Sequence, residues 1–117
     1  MKKSIQKIAR EDGRFGPEAI EFIYEGLGHT VKHVTAQPKH ISGDQLCLGL
    51  RDLAKDKFGR MAKVVLNKWG IETTRDFGEI VYLMIKNNWM SAQPGDEIED
   101  FNNVFDFKTD FEDSFEF

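Results

Sequence analysis

The chain has 117 residues and a net charge of −4, and 40% of its residues are apolar, including ten Phe and two Trp. This length and apolar content favour a single domain with its own core over a disordered chain. The sequence contains neither a run of eighteen apolar residues nor a charged-then-apolar leader, so we expect a cytoplasmic protein without a membrane span or secretion signal.

The charge divides the chain into two unequal parts. Residues 1–95 carry 15 Lys and Arg against 11 Asp and Glu, a balance of +4. Residues 96–117 carry one Lys against nine Asp and Glu, a balance of −8. Because a stretch typical of linkers, with Pro and Gly, separates them, we predict a helical domain over 1–90, a linker over 91–95 and an acidic, Phe-rich tail over 96–117.

Two helices are predicted in the first third of the chain. A short basic amphipathic helix spans residues 2–11 and ends before Gly13. A long helix begins at Pro17, because proline at the first helical position loses no useful hydrogen-bond donor. Gly26 and Gly28 lie inside this helix, where each costs roughly 1 kcal/mol against Ala. Either another helix approaches closely there, which we favour, or the helix breaks near that point.

A third helix is predicted after a loop over residues 35–41. Ser42, with Gln45 three residues later, has the spacing of a capping box, in which each side chain accepts a hydrogen bond from the other residue's backbone. Leucines follow at helical spacing, and the helix runs to about residue 57.

The stretch Phe58–Ile85 predicts two consecutive helices, and we expect the rest of the fold to pack on them. Gly70 is suited to end the first helix, and Thr73 with Asp76 is suited to cap the second. The first helix is predicted to bury Met61, Val64, Val65 and Trp69. The second is predicted to bury Phe77, Ile80, Val81, Met84 and Ile85. Together these elements predict an all-α fold, a compact five-helix domain with the acidic tail attached.

Several short fragments of the chain form a pattern when they are taken together. They are Arg14-Phe15, Glu18-Ala19, Glu25-Gly26-Leu27, His40-Ile41-Ser42-Gly43, Gly49-Leu50-Arg51, Phe58-Gly59, Trp69-Gly70 and Thr74 through Val81. This pattern resembles that of a bacterial family of conserved proteins of unknown function, the Minf-type family. The resemblance covers most of the chain and extends to Asp-Phe pairs in the tail. It implies a bacterial cytoplasmic protein and assigns no catalytic or ligand residue.

Metal binding and nucleophilic catalysis have weak candidates. His29 and His33 are four residues apart on the long helix, a spacing that can hold zinc, nickel or copper, and His40 or Cys47 could complete a site. The alternative, which we prefer, is a solvated helix face. Cys47 stands between two leucines and is better explained as a packed side chain. We therefore expect no metal, no cofactor and no enzyme activity.

The last two predicted helices resemble a helix–turn–helix in order, which suggests DNA binding. The exposed N-terminal half of the second helix, however, offers Arg75, Asp76 and Glu79 and little that reads base edges. We expect no specific DNA readout from it. Non-specific phosphate contact by the scattered basic residues of the domain stays an alternative.

The tail is the most distinctive part of the sequence, because it combines six of the ten Phe with nine acids. Such a segment cannot fold alone, and it either docks on its own domain, binds a partner or stays disordered. The candidate partner-binding residues are Phe101, Phe105, Phe107, Phe111 and Phe115.

The sequence supports two hypotheses of function. The first is a non-enzymatic protein-interaction or regulatory module that engages a protein partner with its helical body and tail. The second is a nucleic-acid-associated protein whose acidic tail competes with phosphate and is autoinhibitory. A metal-dependent enzyme is a third and weaker hypothesis, and the partner and the oligomeric state are not predicted.

Overall fold

Five α-helices and no strand make up the part of the chain that the structure describes. The computed structural model describes residues 3–33, 41–90 and 97–113, with side chains over 3–30, 41–90 and 97–111. The helices are α1 (Ile5–Asp12), α2 (Pro17–His33), α3 (Gly43–Phe58), α4 (Ala62–Lys68) and α5 (Thr74–Lys86). The predicted all-α class with five helices is confirmed.

The ends of the helices follow the local capping signals. Helix α1 begins at Ile5, three residues later than predicted, because the Ser4 hydroxyl accepts the Lys7 backbone N–H at 3.1 Å and so caps the helix there. Its end at Gly13 is confirmed, and Gly13 has a φ of 80°, which glycine adopts without strain. Pro17 is the first residue of α2, as predicted.

Both predicted caps of the later helices are present. The Ser42 hydroxyl accepts the Gln45 backbone N–H at 3.3 Å, and the Gln45 side chain accepts the Ser42 backbone N–H at 3.0 Å, so the capping box of α3 is confirmed. At α5 the Asp76 carboxylate accepts the backbone N–H of Thr73 at 3.2 Å. These bonds satisfy backbone donors that have no partner inside the helix.

Helices α2 and α3 form the most extensive helix pair among the described residues. Gly26 lies against Leu50, where a Cβ on Gly26 would come within 3.2 Å of the Leu50 Cγ. Gly49 lies against Thr30 in the same way, with the Thr30 Cβ 2.8 Å from the position of a Cβ. The predicted close approach is confirmed at Gly26 and is wrong at Gly28, which faces open space.

Helix α5 is central, as predicted, but α4 is peripheral. Five α5 residues that carry side chains beyond Cα are buried, and they are Thr74, Phe77, Ile80, Val81 and Met84. For the first helix of the pair the prediction is wrong at Met61 and Val64, which are 55% and 53% exposed, whereas Val65 and Trp69 are half-buried. Ala62 and Leu66 are the fully buried residues there. A 3₁₀ turn over Gly59–Met61 comes before α4 and rotates the inward side of the helix away from the predicted stripe.

Residues 97–111, called the acidic segment below, pack on the helices. A 3₁₀ turn at Ile98–Phe101 contacts α3 and α5, and a π-helical turn at Lys108–Asp113 contacts α3 and α4. The predicted linker lies outside the described residues, and the division of the chain into domain, linker and tail stays a prediction. Among the described residues, no helix has both the length and the apolar character needed to cross a bilayer.

Candidate docking site of the acidic segment

The predicted partner-binding rings lie together on the helical body. Phe101, Phe107 and Phe111 are buried in the same core as the helices, and Phe105 is partly buried against it. Phe115 lies outside the described residues. Of the three alternatives for the tail, docking on its own domain is the one that the acidic segment adopts. Partner binding by these rings stays a prediction, since Phe101, Phe107 and Phe111 would first have to leave the core.

The ring of Phe101 occupies a narrow slot whose walls are two glycines. A Cβ on Gly43 in α3 would come within 3.0 Å of the Phe101 ring, and a Cβ on Gly78 in α5 would come within 2.7 Å of it. Any side chain on either glycine would therefore displace the ring. We call this site, formed by Gly43, Gly78 and the nearby Thr74, the Phe101 slot.

Thr74 binds the backbone of the acidic segment inside the slot. Its hydroxyl donates to the Phe101 carbonyl oxygen at 2.6 Å and accepts the Val104 backbone N–H at 3.2 Å. Thr74 is only 1% exposed with the segment in place, so the segment supplies the hydrogen-bond partners of a hydroxyl that water does not reach in the docked state. One side chain at the start of α5 thus fixes two backbone groups three residues apart.

The other rings of the segment pack around Phe77 of α5. Phe105 and Phe107 stack at 5.5 Å with an angle of 15°, and each of them contacts Phe77. Phe111 meets the edges of both, at 5.5 and 5.0 Å between ring centroids. Offset and edge-on contacts of this kind add to the free energy gained by burying the rings.

Two arginines of the body contact the segment at its edges. The Arg51 guanidinium of α3 lies 3.5 Å from the Asp110 carboxylate and 6.0 Å from the centroid of the Phe105 ring. The Arg75 guanidinium of α5 donates to the Asn102 side chain at 3.1 Å. The basic body and the acidic segment therefore meet through specific pairs as well as through their opposite net charges.

A second charged cluster joins α1 to α5. Arg14 donates to the carboxylates of Asp12 and Glu79, at 2.9 and 3.0 Å, and Arg75 donates to Glu79 at 3.0 Å. Hydrogen bonds lower the pKa of Glu79 below its ordinary value, and the bond from Arg14 has a larger effect than the bond from Arg75. Burial alone would raise the pKa of Asp12, and the hydrogen bonds from Arg14 reverse this and lower it.

The metal and nucleophile candidates do not assemble into a site within the described residues. No group of three His, Cys, Asp or Glu there is close enough to hold a metal ion. His29 is half-buried on α2, and the side chain of His33, like the whole of His40, lies outside the described part. Cys47 is fully buried, so its predicted packing role is confirmed, and burial raises the pKa of its thiol well above the ordinary range.

The polar residues that begin α5 are used inside the fold. Asp76 caps the helix, and Arg75 and Glu79 bond to each other and to neighbouring elements. These contacts fit the expectation that α5 does not read DNA bases, which stays a prediction.

Comparison with known proteins finds no match for the chain. No protein-family model, no curated protein and no solved structure matches it. The resemblance to the Minf-type family therefore stays a prediction, and the function must be argued from the site itself.

Sequence reasoning missed most of the receptor side of this site. The pattern of residues does not mark Gly43 or Gly78 as a wall of the slot, and the position of Thr74 in the chain gives no sign that its hydroxyl binds a segment 27 residues away. The available signal was the presence of two glycines in helices at positions where no turn requires them.

Proposed function

We propose that the chain is a non-enzymatic protein-interaction module that presents the docked acidic segment to a protein partner. The observation that carries this proposal is that the segment buries its aromatic rings and exposes its carboxylates. Its rings at Phe101, Phe107 and Phe111 are buried, whereas its carboxylates at Glu97 and Glu99 are exposed. The rings thus anchor the segment, and the carboxylates form an acidic surface that favours a basic partner. A bacterial, cytoplasmic setting, as the family resemblance implies, belongs to the same proposal.

The experiment compares partner capture by two matched variants of the full chain. Glu97→Gln with Glu99→Gln removes two exposed charges from the docked segment, and Glu18→Gln with Glu21→Gln removes two exposed charges from α2 as the control. We expect the tagged wild type and the control to capture the same protein from a lysate of the native source. The first variant should recover several-fold less of it. Equal recovery by both variants, or no partner for the wild type, would contradict the proposal.

A second candidate is a nucleic-acid-associated protein with an autoinhibitory acidic segment. The observation that favours it is the contact of Asp110 with Arg51, because a carboxylate there occupies a cation that phosphate would otherwise bind. Deleting the whole segment is a poor test, since Phe101, Phe107 and Phe111 belong to the core.

Asp110→Asn tests this second candidate without removing the rings. If it holds, the variant should bind generic duplex DNA or RNA more tightly than the wild type at low salt. It should also have a steeper salt dependence, because one more phosphate contact forms. The control is Asp56→Asn, an exposed carboxylate on the same helix as Arg51. No binding by the wild type or the variant at low salt would exclude the candidate.

A further inference from the structure

We infer that the Phe101 slot is a binding site for an acidic protein segment of the pattern Phe-x-x-Val-Phe-x-Phe presented by a second protein, with the chain's own acidic segment as the resident competitor. The inference rests on the proposed function, because it assumes an interaction module. It goes further by naming a second binding surface and the sequence that this surface recognises.

The receptor side of the slot is built entirely by the helices. Gly43 belongs to α3, and Gly78 and Thr74 belong to α5, so the three residues that define the slot all come from helices of the body. The buried Thr74 hydroxyl has both of its hydrogen bonds with the segment's backbone. Any chain that presents the same two backbone groups would satisfy it equally well.

The contacts define the recognised sequence position by position. A Phe ring fits between the two glycines, and the residue three positions later must offer its backbone N–H to Thr74. The next two aromatic positions are those of Phe105 and Phe107, which both pack on Phe77. This arrangement gives the pattern Phe-x-x-Val-Phe-x-Phe, since residue 104 is a half-buried Val against the core.

Two arginines at the edges of the slot also select for the charge of the bound segment. Arg75 binds a side-chain oxygen one residue after the Phe101 position, and Arg51 binds a carboxylate nine residues after it. Because the two arginines lie at the edges of the site, a segment carrying acids around the rings is favoured over a neutral one.

The chain's own segment occupies the slot, so a second protein must displace it and needs a minimum affinity to do so. A tethered segment competes at an effective concentration of the order of millimolar, so a free segment of equal affinity displaces it only weakly. A partner must therefore bind more tightly than the resident segment.

The test converts the resident segment into a free ligand and leaves the described contacts intact. A site-specific protease sequence replaces residues 91–95 of the full chain, and the folded protein is then cut. A labelled peptide with the sequence of residues 97–111 is titrated against the cut and the uncut protein and followed by fluorescence anisotropy. We expect the cut protein to exchange its resident segment for the peptide, and the uncut protein to bind it at least about 100-fold more weakly because of the tether.

Matched variants identify the slot as the place of binding. The peptide with Phe101→Ala should bind at least about ten-fold more weakly, whereas the peptide with Thr109→Ser, an exposed position without a part in either proposal, should bind within about two-fold of the parent. On the protein side, Gly78→Ala should weaken binding about ten-fold or more. Gly28→Ala, a helical glycine that faces open space, should leave binding unchanged.

Three outcomes would overturn the inference. In the first, the cut protein does not bind the peptide at any excess. In the second, the helical circular dichroism is lost when the resident segment leaves. In the third, exchange occurs only between two full chains as a dimer. The last outcome would assign the slot to a second copy of this chain. None of them bears on the capture experiment above, which uses the uncut protein and depends on exposed carboxylates, so the two proposals can fail separately.

Discussion

The contact between α2 and α3 and the contact between the acidic segment and the helices use the same device in different ways. In both places glycines allow a neighbour to approach where a Cβ would collide with it: Gly26 and Gly49 between the two helices, Gly43 and Gly78 around Phe101. Between α2 and α3, both partners are long helices, of 17 and 16 residues.

The partner of the other pair of glycines is a four-residue 3₁₀ turn held by one threonine and a cluster of rings. A short element of this kind depends on its receptor for order, whereas α2 and α3 bring their own helical structure to the contact. Two contacts that are packed equally closely therefore need not be equally stable. We expect the α2–α3 contact to open only with the whole fold, and the acidic segment to open first.

The largest expected effect on stability comes from truncating one buried side chain in the helical body and one in the acidic segment. Ile80→Ala in α5 and Phe111→Ala in the acidic segment each remove a fully buried side chain. Urea titration should show a loss of roughly 2–5 kcal/mol of unfolding free energy for Ile80→Ala. The loss for Phe111→Ala should be smaller than the 3–5 kcal/mol typical of a buried Phe, because it is limited by the free energy that holds the segment on the body.

The two results together decide how independent the segment is. A loss below about 1 kcal/mol for Ile80→Ala would place α5 outside the core and undo the architecture. A full loss for Phe111→Ala, with a single transition, would make the segment an inseparable part of the fold.

Adding one methyl group to a glycine in each of the two regions should change hydrogen exchange differently in them. Gly49→Ala and Gly78→Ala each force a displacement that costs about 1–3 kcal/mol. Native-state hydrogen exchange should show faster exchange throughout α2 and α3 for Gly49→Ala. For Gly78→Ala the faster exchange should be confined to the acidic segment. Gly28→Ala serves as the control and should stabilise α2 by about 0.5–1 kcal/mol. Identical exchange patterns for the two variants would remove the distinction drawn here.

The Thr74 hydroxyl should contribute to the segment alone. Thr74→Val keeps the volume of the side chain but leaves the Phe101 carbonyl and the Val104 N–H without their partner, which costs about 1–3 kcal/mol. Thr74→Ser keeps both hydrogen bonds and should recover most of this. Limited proteolysis within residues 97–111 measures the effect, and equal cleavage of Thr74→Val and Thr74→Ser would show that the hydroxyl is dispensable.

The smallest expected effect is an acid sensitivity that belongs to the helical body. Hydrogen bonds from Arg14 and Arg75 lower the pKa of Glu79, so the folded state holds this carboxylate ionised more strongly than the unfolded state does. Its stabilising contribution is therefore present above about pH 4.5, the ordinary pKa, and is lost as the pH falls through the lowered pKa. In thermal melts Glu79→Gln should reduce the difference in Tm between pH 6 and pH 3, whereas the exposed Glu18→Gln should not.

Much of the helical body could be predicted because its signals are local. The capping box at Ser42, the proline at the start of α2 and the Gly13 terminus each act within four residues of the feature that they determine. The inward face of α4 could not be predicted in this way, because the 3₁₀ turn before it sets the rotation of the helix. That turn packs against the π-helical turn, which is far away in the sequence.

The docking of the tail was predictable in outline and its receptor was not. Opposite net charges and a high density of rings indicated that the segment needs a cover. The slot itself joins residues 43, 74, 78 and 101, which are far apart along the chain. Because a missing Cβ leaves no mark in a pattern of polar and apolar residues, periodicity could not reveal which surface receives Phe101.

The packing of Phe77, Phe105, Phe107 and Phe111 gives the docked state its own spectroscopic signature. Protons held above one aromatic face and beside the edge of another experience opposing ring currents, and the stacked and edge-on rings here supply both arrangements at centroid distances of 5.0 to 6.2 Å. Aromatic resonances of the segment are therefore dispersed when it is docked and collapse toward free-phenylalanine shifts when it leaves. An unlabelled sample thus reports the state of the segment directly in a one-dimensional proton spectrum.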